Sequence, residues 1–223
     1  MSYILNIETS TTNCSVALSK NGDLVELKED NNKFYSHAER LHVYINDVLQ
    51  AAKIDRSEID AVAVSKGPGS YTGLRIGVSA VKGLCFALEV PMIAISTLEI
   101  LASKLNVDQG IIIPLIDARR MEVYTATFDS NISVIEPTSA KILDNTSFID
   151  FLNKQKVFFI GNAVEKTQGI VKHPNAYFKE AYPSSEQMCK LSFDMFKAGN
   201  FEDLAYFEPY YLKDFIVNPP KKL

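Results

Sequence analysis

Apolar and polar positions along this chain fall into short blocks that switch between a period near two and a period near 3.6. Residues 3–8, Tyr-Ile-Leu-Asn-Ile-Glu, make a continuous β-favouring run and predict a buried strand. Residues 14–19 and 23–29 predict two more strands, joined by Asn21-Gly22, a strong hairpin signal. Ser36-His37-Ala38-Glu39 has capping-box spacing, and Leu41, Ile45, Val48, Leu49 and Ala52 follow at helical period. A strand at 61–64, a glycine turn running into a helix, a strand at 91–95 and a helix at 97–105 complete the first half. The second half predicts strands at 111–117, 121–128 and 132–143, the last interrupted by Pro137. A helix at 146–154, a strand at 157–160, a short helix opened by Gly161-Asn162-Ala163, a residual strand at 176–178 and a helix at 184–198 follow. Both halves therefore read β-β-β-α-β-α with a further strand and helix, which suggests a two-lobed α/β protein with a cleft. The aromatic, proline-bearing tail from Phe201 is expected to fray.

The helix after the glycine turn is unusual. Leu74, Val78, Val81, Cys85 and Leu88 form one apolar stripe, and Gly73, Gly77, Ala80, Leu84 and Ala87 form a second, mostly small one. Arg75, Ser79 and Lys82 alone supply polarity between Leu74 and Leu88. A helix apolar over most of its circumference is buried over most of it, either inside the domain or under a partner.

Composition narrows the function. With 223 residues, 47% hydrophobic and 22% charged, the chain can build a core without staples. A net charge of −4 and a pI near 5.5 argue against a domain whose affinity rests on neutralising phosphates, although a local basic patch is compatible with them. Three dispersed cysteines, Cys14, Cys85 and Cys189, suit reduced thiols better than a disulfide framework or a zinc site. With no signal-like segment and no apolar run near the ~20 residues that span a bilayer, the expected location is the cytoplasm.

Candidate chemistry is sparse. Gly67-x-Gly69-x-x-x-Gly73 misses the dinucleotide spacing by one residue and lacks the Lys-Ser/Thr of a P-loop. Its glycines serve either close packing or an anion at the helix start. Glu8-Thr9-Ser10 at a strand end could meet a phosphate or its magnesium, or could be simple turn chemistry. Asp117-Ala118-Arg119-Arg120-Met121-Glu122 is the equivalent turn of the second half, either an anion contact through Asp117 and Arg119 or a salt-bridged hairpin tip. His37 and His42 lie five apart, on different helix faces, and His173 stands alone, so no metal site is expected. No nucleophile–base pair can be assigned.

Four motifs in order along the chain carry a family likeness: residues 4–10 (Ile-Leu-Asn-Ile-Glu-Thr-Ser), residues 67–77 (Gly-Pro-Gly-Ser-Tyr-Thr-Gly-Leu-Arg-Ile-Gly), Asp117-Ala118-Arg119-Arg120-x-Glu122-Val123-Tyr124, and Glu208-Pro209-x-Tyr211-Leu212. Together they resemble the TsaB (YeaZ) family, required for threonylcarbamoyladenosine in tRNA. The resemblance implies a duplicated actin-like, Hsp70-like two-lobed fold. The lobes would be residues 1–107 and a smaller 108–223, with the final helix and tail packing back on the first lobe. Where the catalytic relative TsaD carries a metal-binding Asn-His-Leu-Glu-Gly-His segment, this chain has Ser96-Thr97-Leu98-Glu99-Ile100-Leu101, without either histidine.

The resemblance thus implies a non-catalytic partner of TsaD, with no catalytic residues, no metal and no cofactor of its own, and with ATP or ADP as an option at the complex interface. It further implies the ATPase TsaE as a second partner, a homodimer when alone, tRNA contact mainly through the complex, and no membrane. The partner interface is expected on Gly73, Arg75, Gly77, Ser79, Ala80, Lys82 and Leu84. The competing expectation is an independent ATPase or small-molecule kinase of the same fold, with Glu8, Thr9 and Asp117 around Mg-ATP.

Overall fold

The computed structural model describes residues 1–31 and 37–213. Strands β1 (Tyr3–Glu8), β2 (Cys14–Lys20) and β3 (Asp23–Asp30) form an antiparallel meander. Asn21 and Gly22 take φ of 52° and 92° at its hairpin, the left-handed values such a turn requires. Helix α1 (His37–Ala52) leads to β4 (Ile59–Gly67), parallel to β1, and α2 (Tyr71–Leu88) leads to β5 (Met92–Ser96), parallel to β4. Helix α3 (Thr97–Ala102) closes the first half. The second half repeats the plan with β6 (Ile111–Asp117), β7 (Glu122–Phe128), β8 (Val134–Ile142), α4 (Ile149–Leu152), β9 (Val157–Gly161), α5 (Val164–Ile170), β10 (Ala176–Lys179) and α6 (Ser185–Lys197). The two five-stranded mixed sheets have the same internal order, β3-β2-β1-β4-β5 and β8-β7-β6-β9-β10.

Period-two alternation places successive strand residues on opposite faces, and both faces of each sheet are covered. Leu5, Ile7, Val62, Val64 and Ala94 meet Leu41, Ile45, Val48, Val78, Val81 and Cys85 of α1 and α2. Ile4, Ala61, Ala63, Ile93 and Ile95, on the other face, meet Met188 of α6 and Ile100 of α3. The second sheet packs Ile113, Leu115 and Phe159 against α4 and α5, and Ile112, Ile116, Ala126 and Phe128 against Leu98, Leu101 and Ala102 of α3. The layers therefore run α1/α2, first sheet, α3/α6, second sheet, α4/α5.

Three expectations change. The helix expected over 146–154 is one turn long, because the Asp144 side chain accepts from the Thr146 amide and hydroxyl and from the Ser147 hydroxyl, and Phe148 turns left-handed at φ 66°. Helix α3 ends at Ala102, where Ser103 donates its hydroxyl to the Glu99 carbonyl and the chain tightens into turns. The tail does not fray up to Lys213: Glu202 pairs with Met92, Leu204 and Phe207 pack on the first core, and the Tyr210 amide donates to the Lys66 carbonyl at 2.7 Å. The capping serine expected for α1, Ser36, lies outside the described residues.

Candidate functional site

At the end of β4 the chain enters a cis Gly67–Pro68 peptide with Gly67 at φ 110°. Ser70 then caps α2, its hydroxyl accepting from the Gly73 amide at 3.2 Å. The β1–β2 loop lies directly beneath. The Ser70 amide donates to the Ser10 carbonyl at 2.6 Å, and the Thr9 hydroxyl donates to the Gly73 carbonyl at 2.8 Å. A Cβ on Gly69 would run into the Ser10 carbonyl, one on Gly73 into the Thr9 carbonyl, and one on Gly77 into the Thr9 hydroxyl. The glycines thus admit the chain's own loop. Gly73 and Gly77 are buried against Thr9, which corrects the expectation that they present a face to a partner helix.

Glu8, Thr9 and Ser10 are all buried, so none of the three is open to an anion. Glu8 pairs across β1 and β2 with Ser15, and Ser65 of β4 lies within reach of its carboxyl. Burial pushes its carboxyl up from 4.5 to about 7, against the opposing pulls of Ser10, Ser65 and Lys104. Its Oε1 accepts the Ser10 amide at 2.5 Å, the hydroxyls of Ser10 and Ser65 lie close to the carboxyl without well-formed hydrogen-bond geometry, and the Thr97 hydroxyl has no partner. His37 docks on the same loop, its Nε2 2.7 Å from the Thr11 carbonyl, and burial lowers its pKa. Thr97 and Leu101 are core residues. Among the described residues no three His, Cys, Asp or Glu side chains gather as metal ligands.

In the second half, Lys166 of α5 gathers the turn after β6. Its ammonium donates to Asp117 Oδ1 (2.8 Å) and to the carbonyls of Arg120 (3.0 Å) and Glu122 (2.6 Å). Asp117 also accepts the Arg119 amide at 2.6 Å, so Asp117 and Arg119 do come together, in a salt-bridged hairpin tip. Gly161 is pulled onto β6, where a Cβ would meet the Leu115 carbonyl, and Asn162 caps the Asp117 amide at 2.9 Å. Among the described residues no hydrogen bond or ion pair joins this turn to Glu8, Thr9 or Ser10.

The outer face of α2 is different. Ser79 is exposed, and Ala80 and Leu84 are half-buried. With His42, Ile76 and Gly83 they line a shallow groove of about 370 Å³ between α1 and α2. Phe86 is 80% exposed and Val43 of α1 is 54% exposed. Gly83, unlike Gly73 and Gly77, has open space where a Cβ would go. Sequence reasoning passed over Gly83 and Phe86, although a phenylalanine continuing the polar line of Arg75, Ser79 and Lys82 was the available signal. Arg75 and Lys82 are engaged by the tail: Arg75 Nε donates to the Tyr211 hydroxyl at 3.3 Å, and Lys82 donates to the Ala205 carbonyl at 3.2 Å.

Fold and motifs converge with the known proteins that this chain resembles. Residues 34–207 match the protein-family model described as TsaD, tRNA N6-adenosine threonylcarbamoyltransferase, so the chain is a member of that broad class. It is 29% identical to the tRNA threonylcarbamoyladenosine biosynthesis protein TsaB of Escherichia coli over 95% of this chain and 94% of that one. It is 32% identical to the TsaB of Bacillus subtilis over 71% and 70% of the two chains. YeaZ from Pseudomonas aeruginosa superposes with a TM-score of 0.78 at 29% identity, over 95% of this chain and all of that one. The chain belongs to the TsaB (YeaZ) family. No helix among the described residues is long and apolar enough to cross a membrane.

Proposed function

We propose that this chain is a non-catalytic partner subunit for a TsaD-type threonylcarbamoyltransferase. It works in the cytoplasm, in the assembly that makes N6-threonylcarbamoyladenosine beside the anticodon of tRNAs reading codons that begin with A. The observation that carries this reading is the contrast between the two faces of α2. Its inner face is sealed by the β1–β2 loop, which buries the polar strand end where chemistry would be expected. Its outer face leaves Phe86 in water, as α1 leaves Val43, and with α1 it frames an apolar groove. Exposed aromatic and aliphatic groups around a groove are what an interface core uses.

In this reading Ser79, Ala80, Gly83, Leu84 and Phe86 contact the partner, Arg75 and Lys82 flank it beside the tail, and Gly73 and Gly77 hold the helix from behind. A second copy of the chain uses the same face when the partner is absent. The TsaE ATPase joins through the complex, and any ATP or ADP lies at the complex interface. The matching strand order of the two sheets supports a duplicated, actin-like ancestry. An independent kinase would need Glu8 and Thr9 at Mg-ATP, and their burial weighs against it.

Size-exclusion chromatography of the full chain with a TsaD-type protein, followed by a transfer assay on the mixture, tests the proposal. Phe86→Asp combined with Gly83→Arg should abolish co-elution while the isolated chain keeps the circular-dichroism spectrum and cooperative melt of a folded protein. Unaltered co-elution would refute the face, and threonylcarbamoyl transfer by the isolated chain would refute the non-catalytic role.

A further inference from the structure

The tail passes the start of α2 and then reaches the second half of the molecule. Arg75 lies over the Tyr71 ring, 4.1 Å from guanidinium carbon to centroid, and hydrogen-bonds the hydroxyls of Tyr71 and Tyr211. The Tyr71 and Tyr211 rings stand 4.5 Å apart. Two residues further on, Lys213 pairs with Glu122, the first residue of β7. That short step, about 7 Å of chain, brings the aromatic pile close to the hairpin tip that carries Arg119 and Arg120.

The tip is unusual. Arg119 and Arg120 sit at φ 70° and 48°, left-handed values that disfavour residues with a Cβ, and both are exposed. The carboxylates beside them are occupied, Asp117 by Lys166 and Glu122 by Lys213. No ion pair among the described residues involves Arg75, Arg119 or Arg120. Tyr206 and Tyr210 add exposed rings along the tail. In a chain of net charge −4, three guanidiniums with no carboxylate partner among the described residues form, with the half-buried Tyr71 and Tyr211 rings, a local basic and aromatic surface.

We propose that this corner, formed by Tyr71, Arg75, Tyr211, Arg119 and Arg120, binds RNA, with the arginines on phosphates and an unpaired base stacked on the Arg75–Tyr71–Tyr211 pile. Unpaired bases are recognised on aromatic rings and guanidinium planes, and phosphates on arginine. The proposal rests on the family's role in tRNA modification and names the part of the surface that meets the nucleic acid.

The test is fluorescence anisotropy of a labelled tRNA transcript with the isolated full chain at several salt concentrations. Arg75→Ala and the pair Arg119→Gly, Arg120→Gly are the variants, glycine being chosen because it accepts the left-handed backbone. Lys28→Ala, an exposed lysine on β3, is the charge control. Each lost guanidinium should weaken binding about threefold to tenfold and flatten the log–log salt dependence by about 1, and Lys28→Ala should do neither. Absence of salt-dependent binding by the unaltered chain overturns the proposal, as do variants that match it in affinity and slope. Variants that lose the TsaD-type protein but keep RNA assign the corner to protein contact and also overturn it. RNA binding that persists while no complex with a TsaD-type protein forms would instead sink the partner-subunit reading alone.

Discussion

Replacing Glu8 with glutamine should stabilise the protein at neutral pH. The carboxyl is fully buried and its pKa rises from 4.5 to about 7, with burial as the leading cause. A proton therefore binds the folded state more tightly than the unfolded one. The stability this contributes is complete below about pH 4.5 and is lost as pH climbs through about 7. At about 1.4 kcal/mol per tenfold difference in proton affinity, the loss approaches roughly 3 kcal/mol. Glutamine keeps the oxygen that accepts the Ser10 amide and offers an amide to the nearby hydroxyls of Ser10 and Ser65, with nothing to ionise. Urea unfolding of both proteins at pH 5, 6, 7 and 8 measures the effect. The difference in favour of Glu8→Gln should be small at pH 5, widen by more than about 1 kcal/mol per pH unit, and level off above pH 7. A difference independent of pH, or a variant weaker than the parent at pH 8, would show that the carboxylate is solvated or paired in the folded state.

Other outcomes follow from the same geometry. Gly73→Ala should lose more than about 2 kcal/mol in thermal unfolding because its Cβ meets the Thr9 carbonyl, whereas Gly83→Ala, facing open space, should gain about 0.5–1 kcal/mol from helix propensity. His37, neutral when folded because burial lowers its pKa, should weaken the fold as pH falls below 6.5, and His37→Gln should flatten that acid limb in urea titrations. Phe207→Ala, which removes a half-buried ring from the first core, should cost about 2 kcal/mol by chemical denaturation. The three cysteines are buried with thiols pushed up to about 11 (Cys14), 11 (Cys85) and 12 (Cys189), so a thiol reagent at pH 8 should label the native protein negligibly and all three in urea.

The strands were legible because each is a compact β-favouring run, and Asn21-Gly22 states the turn between β2 and β3 in two residues, but the order of the strands in the sheets was not. The inner stripe of α2 was legible from its helical spacing. Its small stripe was read half-correctly: glycines say that something comes close, but not what. What comes close to Gly73 and Gly77 is Thr9, more than sixty residues earlier, and no local pattern encodes that contact. The residue pattern alone did not place the tail, and only the family resemblance set it against the first lobe. Leu204, Phe207, Tyr210 and Tyr211 follow no period, and each gains its partner from α2, β4 or the first core. Residues 3–8 read as a buried strand, yet the carboxylate of Glu8 at its end reads as polar, and no local pattern says that the side chain itself is buried.

The arrangement of α3 and α6 bears on how this chain can be cut and how it folds. Each helix ends its own half of the sequence, yet α6 covers the first sheet, and α3 gives Leu98, Leu101 and Ala102 to the second. A break after residue 107 would strip one sheet of α6 and the other of α3, exposing Ile4, Ala61 and Ile93 on one fragment and Ile112, Ile116 and Phe128 on the other. Neither fragment could hide its own apolar surface. Mixed in solution, they would recover native structure only by exchanging those helices. The earliest half to leave a ribosome must wait, with an unshielded sheet, for a helix still to be synthesised.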